Sequence, residues 1–91
     1  MQIITFKITD EDAIHARPAT ILVNTANKYK SEVFAEASGR KVTMKSLLGV
    51  LSLGLEKGDT ITFIAKGEDE AEVIAAFEEI FVREGLGIVH D

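Results

Sequence analysis

The chain opens on a two-residue alternation. Between residues 2 and 8, Ile4, Phe6 and Ile8 fall on one face and Thr5 and Lys7 on the other, the period of a strand with one buried side. Thr9-Asp10-Glu11-Asp12-Ala13 is a polar break. Beyond it the apolar spacing changes to i, i+3, i+4, i+7 at Ala19, Leu22, Val23 and Ala26. This predicts an amphipathic helix over about 16–27, with Pro18, the only proline, in its first turn. Val33 and Ala35 alternate with Glu32, Phe34 and Glu36, and Ser38-Gly39 suits a tight hairpin turn into a strand over Lys41–Met44. Ser46 can cap a short helix carrying Leu47, Leu48, Val50 and Leu51 that ends near Gly54. After the turn Lys57-Gly58-Asp59, Ile61, Phe63 and Ala65 alternate with Thr60, Thr62 and Ile64 in a fourth strand. Val73, Ile74, Phe77, Ile80 and Phe81 then form the stripe of a last helix, opened by Gly67-Glu68-Asp69-Glu70 and ended by Gly85. Asp69 and Glu72 have the spacing of a capping box. The tail 86–91 is expected to be loosely held.

The order βαββαβα predicts an α+β fold: an open-faced sandwich of one four-stranded, mainly antiparallel sheet with three helices on one face. Its length, 91 residues, allows one domain, 1–91, and no second core. With 46% apolar residues the core is well supplied. A net charge of −5 argues against non-specific nucleic-acid binding, which needs basic surface, and against adsorption to anionic lipid. The absence of cysteine removes a disulfide framework and any thiolate metal site and agrees with a reducing compartment. No leader pattern opens the chain and no apolar run approaches twenty residues, so a cytoplasmic protein with no membrane insertion is expected.

Two positions carry candidate chemistry. Pro18 sets the start of the first helix, which puts His15 just before its first turn. There the unpaired N–H groups and the positive dipole end would favour a dianionic group without a metal. Arg17, two residues on, offers a planar charged fork suited to phosphate oxygens. A neutral imidazole is a competent nucleophile at physiological pH. On these residues alone His15 reads equally as a phosphoacceptor or as an ordinary polar residue at a helix start. Ser46 reads first as an N-cap, and a capping hydroxyl is also where a phosphate would meet a helix's positive end. Val50 and Leu53 are expected in the core, and Leu47, Leu48 and Leu51 share a face of a helix too short to bury everything. His90, in the tail without such neighbours, and the Glu68–Glu72 acids suggest no site.

The segment Ile14-His15-Ala16-Arg17-Pro18-Ala19-Thr20 resembles the active-site signature of the HPr family, the histidine-containing phosphocarriers of the bacterial phosphoenolpyruvate:sugar phosphotransferase system. The similarity runs from about residue 3 to Gly87. It implies a carrier rather than an enzyme, with no metal and no cofactor. His15 would be phosphorylated on Nδ1 by Enzyme I and would pass the phosphoryl group to IIA domains of sugar permeases. Arg17 would pair with the phosphate, and Ala16 and Arg17 would contribute backbone N–H groups.

Lys45-Ser46-Leu47-Leu48-Gly49-Val50-Leu51 resembles the family's regulatory-serine region. There HPr kinase/phosphorylase modifies the serine, and the product acts with the catabolite control protein in carbon catabolite repression. Leu47, Leu48 and Leu51 would form the docking patch, with Lys45, Thr20 and Asn24 beside it. The chain would act as a monomer. Two alternatives belong to the same resemblance: a mainly regulatory, corepressor-type binding module, or a carrier in a nitrogen-type phosphorelay. Crh-type regulatory relatives lack the active histidine, and His15 weighs against the first. Two features depart from the family. Ala13 stands where glycine is usual, at about 1 kcal/mol if that position needs positive φ. Asp10, Glu11 and Asp12 place negative charge beside a site that must accept phosphate, which screening at an exposed site reduces to an effect on rate.

Overall fold

Alternating burial along the three central strands becomes one inner and one outer sheet face. The computed structural model describes residues 1–12 and 14–90. Its elements are β1 (Gln2–Ile8), α1 (Ala16–Ala26), β2 (Glu32–Ala37), β3 (Arg40–Thr43), α2 (Leu47–Leu51), β4 (Thr60–Lys66), α3 (Glu70–Arg83) and β5 (Gly87–Val89). The strands form one sheet in the order β3-β2-β4-β1-β5, and every neighbouring pair is antiparallel. The predicted α+β sandwich is present, with one correction: the sheet has five strands rather than four.

The fifth strand also corrects the reading of the tail. Residues 87–89 pair with β1 in the register Phe6 with Val89, Lys7 with Ile88 and Ile8 with Gly87. The His90 N–H donates to the Thr5 carbonyl at 2.8 Å. Leu86 is buried in the core. Asp91 lies outside the described residues. The cause is local to the end of α3. Gly85, at φ +64, provides the left-handed residue of a Schellman cap. The Gly85 and Leu86 N–H groups then donate to the carbonyls of Val82 (3.2 Å) and Phe81 (3.0 Å). That reversal aims the chain back along the β1 edge.

The core gathers the inward residues of the strands beneath the helices. Phe6, Ile8, Val33, Ala35, Ile61, Phe63 and Ala65 come from the sheet; Ala19, Leu22 and Ala26 come from α1; Val73, Phe77, Ile80 and Phe81 come from α3. Val50 and Leu53 are buried, as their spacing predicts. Phe6 stacks on Phe81 with ring centroids 4.0 Å apart, and Phe63 meets both Phe77 and Phe81 edge-on at 4.9 and 5.5 Å. Such pairs add to the energy of burial by about 0.5–1.5 kcal/mol each. The outer face is left open, with Ile3, Ile64 and Phe34 in one cross-strand row and the Lys41 ammonium 4.8 Å from the Phe34 ring centroid.

The expected capping box is not formed. Asp69 occupies the N-cap of α3 but makes no side-chain cap bond there. Its carboxylate turns to the loop after α1, where it accepts from the Lys30 N–H (3.0 Å), the Ser31 N–H (2.9 Å) and the Ser31 hydroxyl. Glu70 accepts from the Gly67 N–H at 3.1 Å in its place, and also pairs with the Met1 ammonium at 2.6 Å. Two loop amides and the hydroxyl of buried Ser31 together outweigh a single helical N–H that water can reach. The hydroxyl of Ser31, then the Lys30 amide, hold the Asp69 carboxyl below its ordinary range. Gly67 closes the same junction at φ +154, where a Cβ would lie 2.7 Å from the Ser31 Cα.

Asp69→Asn lowers the melting temperature at neutral pH. Because the folded carboxyl is depressed, its contribution is complete above the unfolded value of about 3.9 and is lost as pH falls through the lower folded value. The difference in melting temperature between parent and variant therefore shrinks on acidification below about pH 4; a constant difference contradicts the assignment. Gly67→Ala meets both strain and backbone contact and destabilises by about 2 kcal/mol in urea titration.

Candidate functional site

His15 is the N-cap of α1. Its backbone is extended (φ −95, ψ −171), its carbonyl accepts the first helical bond from the Ala19 N–H at 3.0 Å, and its side chain makes no capping bond. The imidazole is exposed. Most N-cap side chains turn inward to satisfy the first-turn amides; this one leaves them open. Pro18 has no N–H to satisfy, and among the described residues the Ala16 and Arg17 N–H groups have no protein partner. Pro18 and Ala19 are buried and hold the turn against the core, while Ala16, Arg17 and Thr20 remain exposed. The Arg17 guanidinium has no ion-pair partner among the described residues. One helix end thus presents a free imidazole, two unclaimed amide donors and an uncommitted guanidinium, a set able to surround a phosphoryl group.

The residues before His15 are held differently. Ile14 is buried, whereas Glu11 and Asp12 are exposed. Glu11 lies 3.6 Å from the Lys57 ammonium, so part of the local negative charge is met by a cation, and the Asp12 N–H donates to the Asp10 carboxylate at 3.1 Å. Ala13, with the backbone expectation attached to it, lies outside the described residues.

Ser46 caps α2 as expected: its hydroxyl accepts from the Gly49 N–H at 3.1 Å. It is half-buried. Leu47, Leu48 and Leu51 are 37%, 80% and 39% exposed, so the three predicted patch residues stand outside the core that takes Val50 and Leu53. The helix that carries the patch packs against α1, the helix that His15 caps. Two flanking residues have structural duties as well. Thr20 donates from its hydroxyl to the Ala16 carbonyl at 2.7 Å, and the Lys45 ammonium donates to the Tyr29 carbonyl at 3.0 Å, closing the turn after α1. Asn24 is exposed on the α1 surface.

Sequence reasoning missed one contributor near the site. The Leu86 carbonyl accepts from the Thr9 N–H at 3.0 Å and the Asp10 N–H at 3.3 Å, where the loop toward His15 leaves β1. Gly85 followed by an apolar residue was the available signal, since a Schellman cap buries the residue that follows its glycine.

The comparisons with known proteins agree with this geometry. The family model described as the PTS HPr component phosphorylation site matches residues 3–83. The histidine-containing phosphocarrier protein of Mycoplasma superposes with a TM-score of 0.92 at 29% identity, covering 94% of this chain and 98% of that one. HPr from Thermoanaerobacter tengcongensis is 36% identical with a TM-score of 0.86, covering 92% and 94%. Crh of Bacillus subtilis, a catabolite-repression protein described as a swapped dimer, is 40% identical with a TM-score of 0.70, covering 79% and 83%. With the phosphorylation-site model spanning both the His15 turn and the Ser46 helix, the chain belongs to the PTS HPr family of phosphocarriers.

Proposed function

We propose that this single-domain chain carries a phosphoryl group on His15, taking it from phospho-Enzyme I and passing it to IIA components of sugar permeases. The observation that carries the reading is the unused N-cap: an exposed imidazole beside the Ala16 and Arg17 amides and the Arg17 guanidinium, none of which has a partner among the described residues. The ring nitrogen's lone pair forms the bond to phosphorus as the donor's bond to phosphorus breaks, and that electron pair stays with the donor. The carrier supplies no acid or base of its own. Amide donors and Arg17 neutralise part of the charge on the transferring group, and the partners complete the site. Exposure suits the task. A deep pocket would hold the phosphate too firmly to give it up, whereas a helix end in water stabilises it by only about 0.3–1 kcal/mol per charge interaction.

Ser46 is proposed as the regulatory phosphosite, modified by HPr kinase/phosphorylase and recognised with the catabolite control protein. Its hydroxyl already faces the first turn of α2. Phosphorylation would place about −1.5 to −2 charges beside the docking leucines, which weakens apolar docking of Enzyme I while creating a charged determinant for another partner. The 40% identity to Crh supports a regulatory role alongside carriage; the presence of His15 separates this chain from a purely regulatory reading.

Intact-mass measurement after incubation with phosphoenolpyruvate and Enzyme I is expected to show one added phosphoryl group that is acid-labile and absent in His15→Ala. Folded protein with active Enzyme I and no adduct would overturn the reading. Arg17→Ala retains the adduct and lowers the transfer rate by roughly 10–100-fold, consistent with loss of one charged phosphate contact. ATP with the kinase gives an acid-stable adduct that Ser46→Ala abolishes. Ser46→Ala also costs about 1 kcal/mol of stability through the lost cap, read by urea titration, and leaves phosphorylation of His15 intact.

A further inference from the structure

We infer that Leu86, at the head of the C-terminal strand, is a positioning residue for the His15 loop, and that docking of β5 sets the geometry from which His15 reacts. The inference rests on the phosphocarrier reading above. Thr9 and Asp10 begin the loop between β1 and α1, and among the described residues ahead of His15 they make its only backbone–backbone hydrogen bonds. Both go to the Leu86 carbonyl, at 3.0 and 3.3 Å. The position of that carbonyl is over-determined. The Schellman cap at Gly85 turns it outward, the Leu86 side chain is buried, and β5 continues along β1 as far as the His90 N–H on the Thr5 carbonyl. Gly87 is what lets the strand approach: an added Cβ would lie 2.3 Å from the Lys7 carbonyl oxygen.

The loop is therefore clamped at its departure by the chain's other end and at its arrival by buried Ile14 and Pro18. Between those clamps its described contacts are an Asx turn at Asp10 and the exposed Glu11–Lys57 pair, which exert little force. Releasing the first clamp frees the stretch from Thr9 to Asp12, so that the path of the chain into Ile14, and with it the orientation of the His15 ring, can change while α1 stays seated. A shift on the order of 1 Å at a reacting group is enough to slow transfer strongly. The docking leucines belong to α2 and do not touch the clamp's hydrogen bonds, so substrate recognition and reaction geometry separate.

The test uses the full chain with Gly87→Val, which excludes β5 from the β1 edge, and a second variant that ends at Gly85 and so removes the Leu86 carbonyl together with β5. Folding is checked by the dispersion of the amide spectrum; should Gly87→Val unfold the chain, the shortened variant carries the test. Hydrogen exchange at Thr9 and Asp10 is expected to accelerate at least tenfold. The His15 ring-nitrogen shifts are expected to move, and the kcat for phosphorylation by Enzyme I to fall by roughly tenfold with KM nearly unchanged. A purely stabilising role lowers the melting temperature and leaves the ring-nitrogen shifts and kcat alone. Faster exchange with unchanged kcat and unchanged His15 shifts overturns the inference, as does unchanged exchange in a variant whose β5 is released. If the parent chain accepts no phosphate at all, the phosphocarrier reading fails, and the exchange and imidazole measurements still decide whether Leu86 governs the loop.

Discussion

The contact between Phe6 and Phe81 is the constraint on which the rest of the molecule depends. Rings 4.0 Å apart and nearly parallel join the second half of β1 to the last turns of α3, and Phe63 packs edge-on against both. Four of the chain's five phenylalanines take part in this cluster. It binds the two ends of the sequence together, and everything that follows α3 inherits its position from it. Gly85 can turn the chain back onto β1 only because Phe81, whose carbonyl receives the Leu86 amide, is already seated over Phe6.

From that junction the molecule divides into a rigid half and a working surface. The rigid half is the sheet under α3, tied to the loop after α1 by the Asp69 carboxylate and the close passage of Gly67 over Ser31. The surface on which the proposed function would work is the start of α1 together with α2. Its stability is borrowed: Pro18 and Ala19 from the first helix and Val50 and Leu53 from the second segment reach the core, while His15, Arg17, Leu47, Leu48 and Leu51 remain outside it. The proposed carrier role benefits from this division, since exposed groups can be reorganised by a partner without a cost in core packing. Two of the acids at 10–12 have partners of their own, Glu11 pairing to Lys57 and Asp10 closing its own turn.

Much of this was legible in the sequence because it depends on neighbours close in the chain. Period-two and period-3.6 spacing located β1, β2, β4, α1 and α3, since burial on one face is the same demand at every repeat. Pro18 marked the start of α1, and Ser46 capped α2 as its place before the leucines required. Asp69 shows where such reasoning stops. Its spacing to Glu72 satisfied a local rule, but folding brought two loop amides and a hydroxyl from 38 and 39 residues away, and those claimed the carboxylate. A local pattern cannot rank itself against donors that only the tertiary fold supplies.

By itself the sequence determined the sandwich of sheet and helices and the inward set of apolar residues, because each follows from side-chain type and short-range spacing, and it marked His15 and Ser46 as candidates for chemistry through their resemblance to the HPr motifs. Only the tertiary structure decided that the imidazole leaves its helix uncapped, that the Asp69 carboxylate turns to the loop after α1, and that residues 87–89 form a strand. Three residues with a single β-branched pair cannot hold a strand conformation alone. The free edge of β1 and the carbonyl register set by α3 stabilise it, and both belong to parts of the chain that are distant in sequence.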